Sequence, residues 1–159
     1  AQLQKSVMIY DDMIRTGNET LDLVLTEKSL LCRKYNISLS CMVDGKWLDF
    51  LSTADLYSLF GNALDNAIEA VSSAEESHRV ITLWAARQQK MLLIHMDNYC
   101  PAEPTFSDGL PVTTKEDEQY HGFGTRSIRY IVHRYGGELN MGWKDDRFDL
   151  DILFALPES

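Results

Sequence analysis

Cysteine, basic residues and long apolar runs are all scarce in this chain of 159 residues. Its three cysteines are an odd number and include no C-x-x-C pair, which argues against a disulfide framework and against a zinc knuckle. We therefore expect three reduced thiols in a cytoplasmic protein. No apolar run approaches the roughly 20 residues that a membrane-spanning helix needs, and no signal peptide is visible.

Positive charge is outnumbered, since 15 Lys and Arg residues face 24 Asp and Glu residues and the net charge is -9. Such a surface repels nucleic acid, which requires a basic stripe, and we expect the charge to serve mainly solubility. The length and the 45% hydrophobic content suit one domain with a substantial core. The first residue is alanine, so we expect a piece of a longer protein.

The order of predicted elements indicates an α+β fold. Apolar residues from Leu3 to Leu21 alternate spacings of four and three, as in a helix that packs on another helix or on the domain itself. The remaining pattern predicts helices over residues 20–33, 53–74 and 125–135, and strands over residues 37–43, 46–51, 79–86, 91–97, 138–142 and 147–156. Short turns join several neighbouring strands, so we expect a two-layer α/β sandwich whose mixed, largely antiparallel sheet is covered by helices on one face.

The predicted helix over residues 53–74 has an unusual polar face. One side of it is apolar, whereas the other carries oxygen-bearing side chains and no Lys or Arg. These side chains are Asp55, Ser58, Asn62, Asp65, Asn66 and Glu69. Asn and Asp are mediocre helix formers, so their use here favours a ligand role. An oxygen-only face suits a hard cation such as Mg²⁺, and a plain acidic surface stripe is the alternative.

A glycine pair precedes the last predicted helix, within His121-Gly122-Phe123-Gly124-Thr125. Glycines let the backbone approach a ligand closely, and the start of a helix favours a phosphate; a tight turn is the alternative. The segment is not a P-loop, because no G-K-[ST] follows it.

The loop over residues 101–120 is long and rich in Pro, Gly, Ser and Thr. Long loops in compact domains are commonly lids, so we expect this one to be mobile without a ligand and more ordered with it. Lys115 in this loop would then reach a phosphate, unless it is simply solvated. Asp97 ends an apolar strand, where a carboxylate can accept a hydrogen bond from an exocyclic amine.

These motifs, in this order over residues 18–157, resemble the GHKL ATPase superfamily. Residues 59–70 are similar to its N box, which implies that Asn66 holds the Mg²⁺ bridging the phosphates of ATP and that Asp65 and Glu69 lie at the nucleotide. Asn62 occupies the position where ATP-hydrolysing relatives carry a glutamate base. Because asparagine is a poor base, this substitution suits a kinase that passes the phosphoryl group to a side chain instead of to water.

The resemblance extends to the adenine and phosphate sites. Asp97 is similar to the aspartate of the G1 box that reads the adenine amino group, but the usual D-x-G-x-G is absent, so Asn98 is a second candidate. Residues 121–128 resemble the G2 box, whose backbone amides meet the phosphates. The resemblance thus completes the predicted nucleotide-binding set with Asp97, Asn98, Lys115, His121, Gly122, Phe123, Gly124 and Thr125.

Within the superfamily, the chain resembles sensor histidine kinases of the quorum-sensing type. Residues 18–28, the degenerate G1 box and Thr113-Thr114-Lys115 carry this resemblance. It implies that residues 1–19 end a dimerisation hairpin or form a linker, and that residues 20–159 form the catalytic domain. The first histidine is His78, so the phosphoacceptor helix lies upstream of this chain. The resemblance further implies the cytosolic part of a membrane-anchored sensor, with no direct contact to membrane or nucleic acid.

The implied partners are ATP with Mg²⁺, the upstream phosphoacceptor helix, a response regulator and a second copy bound through the N-terminal helix. Two other functions stay open. One is a GHKL ATPase or protein-serine kinase of the anti-sigma type. The other is an interaction module whose degenerate G1 box no longer supports turnover.

Overall fold

The structure is a computed structural model that describes residues 14–112 and 122–158, without the side chain of Phe123. Residues 1–13 of the predicted N-terminal helical pattern, residues 113–120 of the predicted lid with Lys115, and His121 lie outside the described residues. Residues 14–18, which the same pattern placed in a helix, are not helical, and Gly17 has a φ of 100°.

Three helices and one main sheet make up most of the described chain. The helices are α1 (Glu19–Lys34), α2 (Thr53–Ser72) and α3 (Gly122–Arg134). The strands are β1 (Ser38–Met42), β2 (Val80–Gln88), β3 (Met91–Tyr99), β4 (Phe106–Ser107), β5 (Leu110–Pro111), β6 (Glu138–Lys144) and β7 (Arg147–Ala155). Short 3₁₀ turns lie at Gly45–Leu48 and Glu76–His78.

The main sheet has the strand order β1-β2-β3-β7-β6. β1 runs parallel to β2, whereas the other three pairings are antiparallel. Buried apolar residues alternate along the strands, as with Leu92, Ile94 and Met96 on β3, so one face of the sheet carries the core under the helices. The predicted two-layer sandwich with a mixed, largely antiparallel sheet is therefore confirmed.

The local signals fixed most of the helix bounds. Asn18 caps α1 by accepting a hydrogen bond from the Leu21 amide at 2.9 Å. Ser52 caps α2 by accepting a 3.2 Å hydrogen bond from the Asp55 amide, so the helix begins at Thr53 as predicted. Helix α3 begins at Gly122, three residues before the predicted start at Thr125.

The predicted strand over residues 46–51 is wrong. Asp44 accepts a hydrogen bond from the Lys46 amide at 3.1 Å and starts a 3₁₀ turn there. Leu48 and Leu51 are both buried, so the apolar spacing reflects a folded-back turn that covers the core. An Asx cap competes with strand formation through just such a local bond.

All three cysteines are free thiols. Burial raises the pKa of Cys32 and of Cys41 to about 11. Within the part of the chain that the structure describes, no helix has the length and apolar character needed to cross a membrane.

Candidate functional site

A cavity of about 180 Å³ lies between α2, the start of α3 and the sheet. Its walls are mostly apolar, and small side chains of α2 at Ala63, Ala67 and Ala70 make room for it. The polar side chains of the lining are those of Asn66, Asn98 and Thr125, together with the thiol of Cys100. An apolar slot with a few placed polar groups is the usual design for a heterocyclic ligand.

Helices α2 and α3 meet at the edge of this cavity, where Gly124 faces two asparagines. A Cβ atom on Gly124 would lie 3.5 Å from Asn62 Oδ1 and 3.6 Å from Asn66 Oδ1. Because Asn62 and Asn66 are four residues apart, they project from the same face of α2. The structure thus brings together three of the residues that the sequence predicts for one site.

The side chain of Asn62 is oriented by its own helix. Its Nδ2 donates to the Ser58 carbonyl oxygen at 2.8 Å and to the Ser58 hydroxyl at 3.1 Å. These bonds occupy the amide nitrogen, so the amide oxygen is the atom presented towards Gly124. The Ser58 hydroxyl in turn lies 3.4 Å from that of Ser127 on α3, which links the two helices beside the site.

The polar face of α2 divides into parts with different contacts. Asp55, at the N-terminal end, accepts a hydrogen bond from the Tyr135 hydroxyl at 2.6 Å, and this bond lowers the pKa of the carboxyl. Asp65 forms a 2.6 Å ion pair with Lys28 of α1. These two carboxylates therefore fasten α2 to its neighbours, whereas Asn62 and Asn66 face the first turn of α3.

The cavity edge near Asn66 continues into a shallow groove between α1, α2 and α3. Asp65 and Glu69 line it together with Asn62, Asn66 and Gly124. This groove holds every N-box residue predicted at the nucleotide, and Asp65 reaches it while paired with Lys28.

Strand β3 presents Asp97 and Asn98 to opposite faces of the sheet. Asn98 is only 4% exposed and lines the cavity. Asp97 instead binds His95 at 2.8 Å and forms an ion pair with Arg147. Successive side chains of a strand alternate between faces, so only one of the two can face the cavity. The structure places Asn98 there.

The amide of Asn98 also has a set orientation. Its Nδ2 donates to the Tyr99 carbonyl oxygen at 3.0 Å. The amide oxygen is then the atom that can accept a hydrogen bond from a ligand.

Cys100 and two prolines were missed in the sequence. Cys100 lines the cavity beside Pro104 and Pro111, and its thiol donates to the Ala102 carbonyl oxygen at 3.3 Å. Burial raises the pKa of this thiol. The sequence carries no ligand signal at these positions, because proline in a loop is typical of a turn and a single cysteine has no ligand-binding pattern around it.

Thr125 was predicted at the phosphates, and the structure places it in the cavity lining, where it is 6% exposed. Gly122 and Phe123 belong to the first turn of α3, ahead of Gly124. The start of this helix carries no acidic residue, so its amide groups remain attractive to an anion.

Comparison with known proteins decides the family. Residues 51–155 match the model of the GHKL domain, which covers the N-box helix, the cavity and strand β7. The chain belongs to the GHKL family. Membership in this ATP-binding family implies the use of ATP.

The GHKL domain is similar to parts of known sensor kinases. It is 27% identical over 111 residues to the sensor histidine kinase DpiB of Escherichia coli (strain K12), a match that covers 67% of this chain and 20% of that protein. The chain thus spans about a fifth of the length of this curated relative.

Solved structures show the same fold. The catalytic domain of histidine kinase ThkA, in a nucleotide-free form, gives a TM-score of 0.66 at 18% identity, over 89% of this chain and 93% of that one. The Acinetobacter baumannii histidine kinase AdeS gives a TM-score of 0.61 at 10% identity, over 98% of this chain and 76% of that one. The GHKL domain therefore has the fold of histidine kinase catalytic domains.

Proposed function

We propose that this GHKL domain is the ATP-binding catalytic part of a sensor histidine kinase. The observation that carries the proposal is the convergence of two side-chain amides, those of Asn62 and Asn66, on the first turn of α3 beside an apolar cavity. The similarity to DpiB, a sensor histidine kinase, supports the same function.

Asn66 is the proposed protein ligand of Mg²⁺. The donor set fits this ion, because Mg²⁺ prefers oxygen, takes few protein ligands and keeps phosphate oxygens and water in its shell. Mg²⁺ would neutralise charge on the phosphates during transfer. The amides at the start of α3 bind phosphate oxygens in this proposal, and Gly124 leaves the space between that turn and the two asparagines.

Asn62 explains why the phosphoryl group would be kept from water. Its amide has no basic lone pair of the kind a carboxylate uses to activate a water molecule. The nitrogen of this amide is already committed to Ser58. Asn62 therefore positions the site without acting as a base, which suits transfer to a protein side chain.

Asn98, rather than Asp97, is proposed to read the adenine ring. An adenine in the cavity would donate from its exocyclic amine to the Asn98 amide oxygen, whose partner nitrogen is held by Tyr99. Guanine carries a carbonyl oxygen at the same ring position, so two acceptors would face each other there. This pairing favours ATP over GTP.

Replacing Asn98 by leucine, whose side chain has the same branched shape, is expected to weaken ATP binding about tenfold and to remove the preference over GTP. The reason is the loss of a buried acceptor, an effect of about 1–3 kcal/mol. Calorimetric titration with ATP and with GTP measures both changes. The comparison variant is Asp97→Asn: if that change relaxes the preference while Asn98→Leu leaves it intact, Asp97 reads the base and the assignment to Asn98 is wrong.

The proposed phosphoacceptor is a histidine on an upstream helix. Among the described histidines, His95 lies between two carboxylates on the face of the sheet opposite the cavity, and His78 stacks on Tyr99 with ring centroids 4.0 Å apart. His133 is exposed near the end of α3. In-line transfer needs the acceptor at the γ-phosphate, which residues fixed at these places do not reach.

The arrangement of the complete protein is proposed from the resemblance to sensor histidine kinases. Residues 1–19 would end the dimerisation hairpin or form a linker, and residues 20–159 would form the catalytic domain. The phosphohistidine would pass its phosphoryl group to a response regulator, and a second copy would dock through the N-terminal helix. The complete protein would be a membrane-anchored sensor of the quorum-sensing type, with this domain in the cytosol.

Radiolabelled ATP tests the kinase proposal. The chain alone is expected to bind ATP and to acquire no acid-labile label. Adding a separate piece of the same kinase that carries the phosphoacceptor helix is expected to give an acid-labile label on that piece. An acid-labile label on residues 1–159 alone would contradict the proposal.

The same assay distinguishes the two alternatives. An acid-stable label on serine of a partner protein would indicate a protein-serine kinase of the anti-sigma type. Nucleotide binding with no transfer to the added helix would favour an interaction module.

A further inference from the structure

The open face of the sheet carries a cluster of charged side chains centred on His95. This face lies opposite the one that the three helices cover. His95 Nδ1 lies 2.7 Å from Asp151 Oδ1, and its Nε2 lies 2.8 Å from Asp97 Oδ2. Arg147 forms an ion pair with the other oxygen of Asp97. The side chain of His95 is only 16% exposed.

Both ring nitrogens of His95 therefore face carboxylate oxygens at hydrogen-bond distance. A neutral imidazole carries one N–H, so one nitrogen would turn a lone pair towards a carboxylate; an imidazolium donates from both. Burial alone lowers the pKa of His95, but the bonds to Asp151 and Asp97 outweigh it and the pKa is raised. The geometry thus favours the charged ring.

The groups around His95 come from every strand beside it. β7 contributes Asp149, Asp151 and Arg147, with Asp149 Oδ1 at 4.0 Å from His95 Nε2. β2 contributes Trp84, an uncharged ring stacked at 5.0 Å. The pKa of Asp149 is raised, mainly because the carboxyl is partly buried. The charges of His95 and Arg147 lower this pKa, whereas those of Asp97 and Asp151 raise it. Carboxylates therefore outnumber the cations of the cluster, and the proton on His95 offsets part of the excess.

The cluster lies directly behind the floor of the cavity. Asp97 stands between Met96 and Asn98 on β3, and both of these line the cavity. Asp149 stands between Phe148 and Leu150 on β7, which line it as well. Asp97 and Asp149 are paired directly across the two strands. Because side chains alternate along a strand, the charged cluster on one face and the cavity floor on the other are carried by the same backbone segments of β3 and β7.

We propose that protonated His95 is a positioning residue: it clamps β3 to β7 behind the cavity, and its loss of a proton weakens nucleotide binding. This inference rests on the proposed nucleotide site. Deprotonation would leave the carboxylates of Asp97, Asp149 and Asp151 with Arg147 as their cation in the cluster. Their repulsion would loosen the strand pair that places Asn98.

The sign of the pH dependence follows from the raised pKa. The clamp is fully formed below 6.5, the ordinary value for histidine, and is lost as the pH rises through the raised value in the folded protein. ATP affinity should therefore fall on the alkaline side. Because coupling is reciprocal, bound nucleotide should raise the pKa of His95 further.

The test measures Mg²⁺–ATP affinity of the whole chain from about pH 6 to about pH 9, the range in which a raised histidine pKa is expressed. The wild-type protein is expected to lose about fivefold in affinity across this range, a typical coupling. His95→Gln, which keeps a neutral polar side chain, is expected to bind weakly at the acidic end and to lose this pH dependence. His133→Gln on the exposed surface of α3 is the matched control, with the wild-type profile expected.

Nuclear magnetic resonance of the imidazole nitrogens gives a readout that does not depend on a variant folding. Two protonated nitrogens at neutral pH, and an upward shift of the His95 pKa when Mg²⁺–ATP is added, are expected. Nucleotide binding with an affinity that is flat across this range, or a His95 pKa that ATP leaves unchanged, would overturn the inference alone. Absence of ATP binding at every pH would overturn the proposed nucleotide site as well.

Discussion

Asn66→Ala is expected to lose at least about tenfold in affinity for ATP when Mg²⁺ is present, equivalent to about 1.4 kcal/mol. The substitution removes an amide oxygen proposed to bind the ion, at a residue that both lines the cavity and faces Gly124. The weaker, metal-free binding of ATP should change much less. Calorimetric titration with and without Mg²⁺ separates the two effects.

The fold of this variant should stay intact, because alanine is a better helix former than asparagine. Asn140→Ala, at an exposed asparagine of β6, is the matched control and should bind like the wild type. Unchanged Mg²⁺-dependent binding in Asn66→Ala would show that Asn66 is not the ligand. The metal assignment would then be abandoned.

Gly124→Ala is expected to separate stability from binding. The new methyl group would stand 3.5 Å from Asn62 Oδ1 and 3.6 Å from Asn66 Oδ1, in ordinary contact with both. It would fit without disturbing the helices, and alanine in place of glycine stabilises a helix by up to about 1 kcal/mol. The same methyl group would occupy the gap that the phosphates and Mg²⁺ need, so ATP affinity should fall about tenfold or more.

Urea denaturation and ATP titration on the same sample check both parts of this prediction. Gly142→Ala is the control, since a Cβ there meets nothing within 4 Å. Full ATP affinity in Gly124→Ala would mean that the phosphates lie elsewhere. A large loss of stability would mean that the space beside the asparagines is not open.

The sequence was sufficient to predict which side chains of the N box share one face of α2. Spacing of four residues places Asn62 and Asn66 on one helical face whatever the helix packs against, so local periodicity was sufficient. The glycine pair before α3 predicted where the partner turn would lie. Their meeting at Gly124 depends on the packing of two helices, which only the structure shows.

The choice between Asp97 and Asn98 could not be made from local sequence. Both end the same strand, and which of them faces the helices depends on the register of the sheet. The family resemblance favoured Asp97. In the structure, the pairing of β3 with β7 places Asp97 beside His95 and Arg147 instead.

The charged cluster on the open face was also beyond sequence reasoning. His95 and Asp151 are 56 residues apart, and they meet only because β3 and β7 pair in one register. The predicted strand over residues 46–51 was wrong for a different reason. A side-chain cap at Asp44 stabilises a 3₁₀ turn at Gly45–Leu48, although the apolar pattern there resembles a strand.

Titration of the wild-type chain with ATP, in the presence and absence of Mg²⁺, tests the central claim most directly. The apolar cavity bordered by the amides of Asn66 and Asn98 is the proposed binding site for the adenine ring. The predicted result is saturable binding of one ATP per chain that Mg²⁺ strengthens and for which GTP competes poorly. No saturable binding of ATP in either condition would contradict the assignment of this cavity as a nucleotide site.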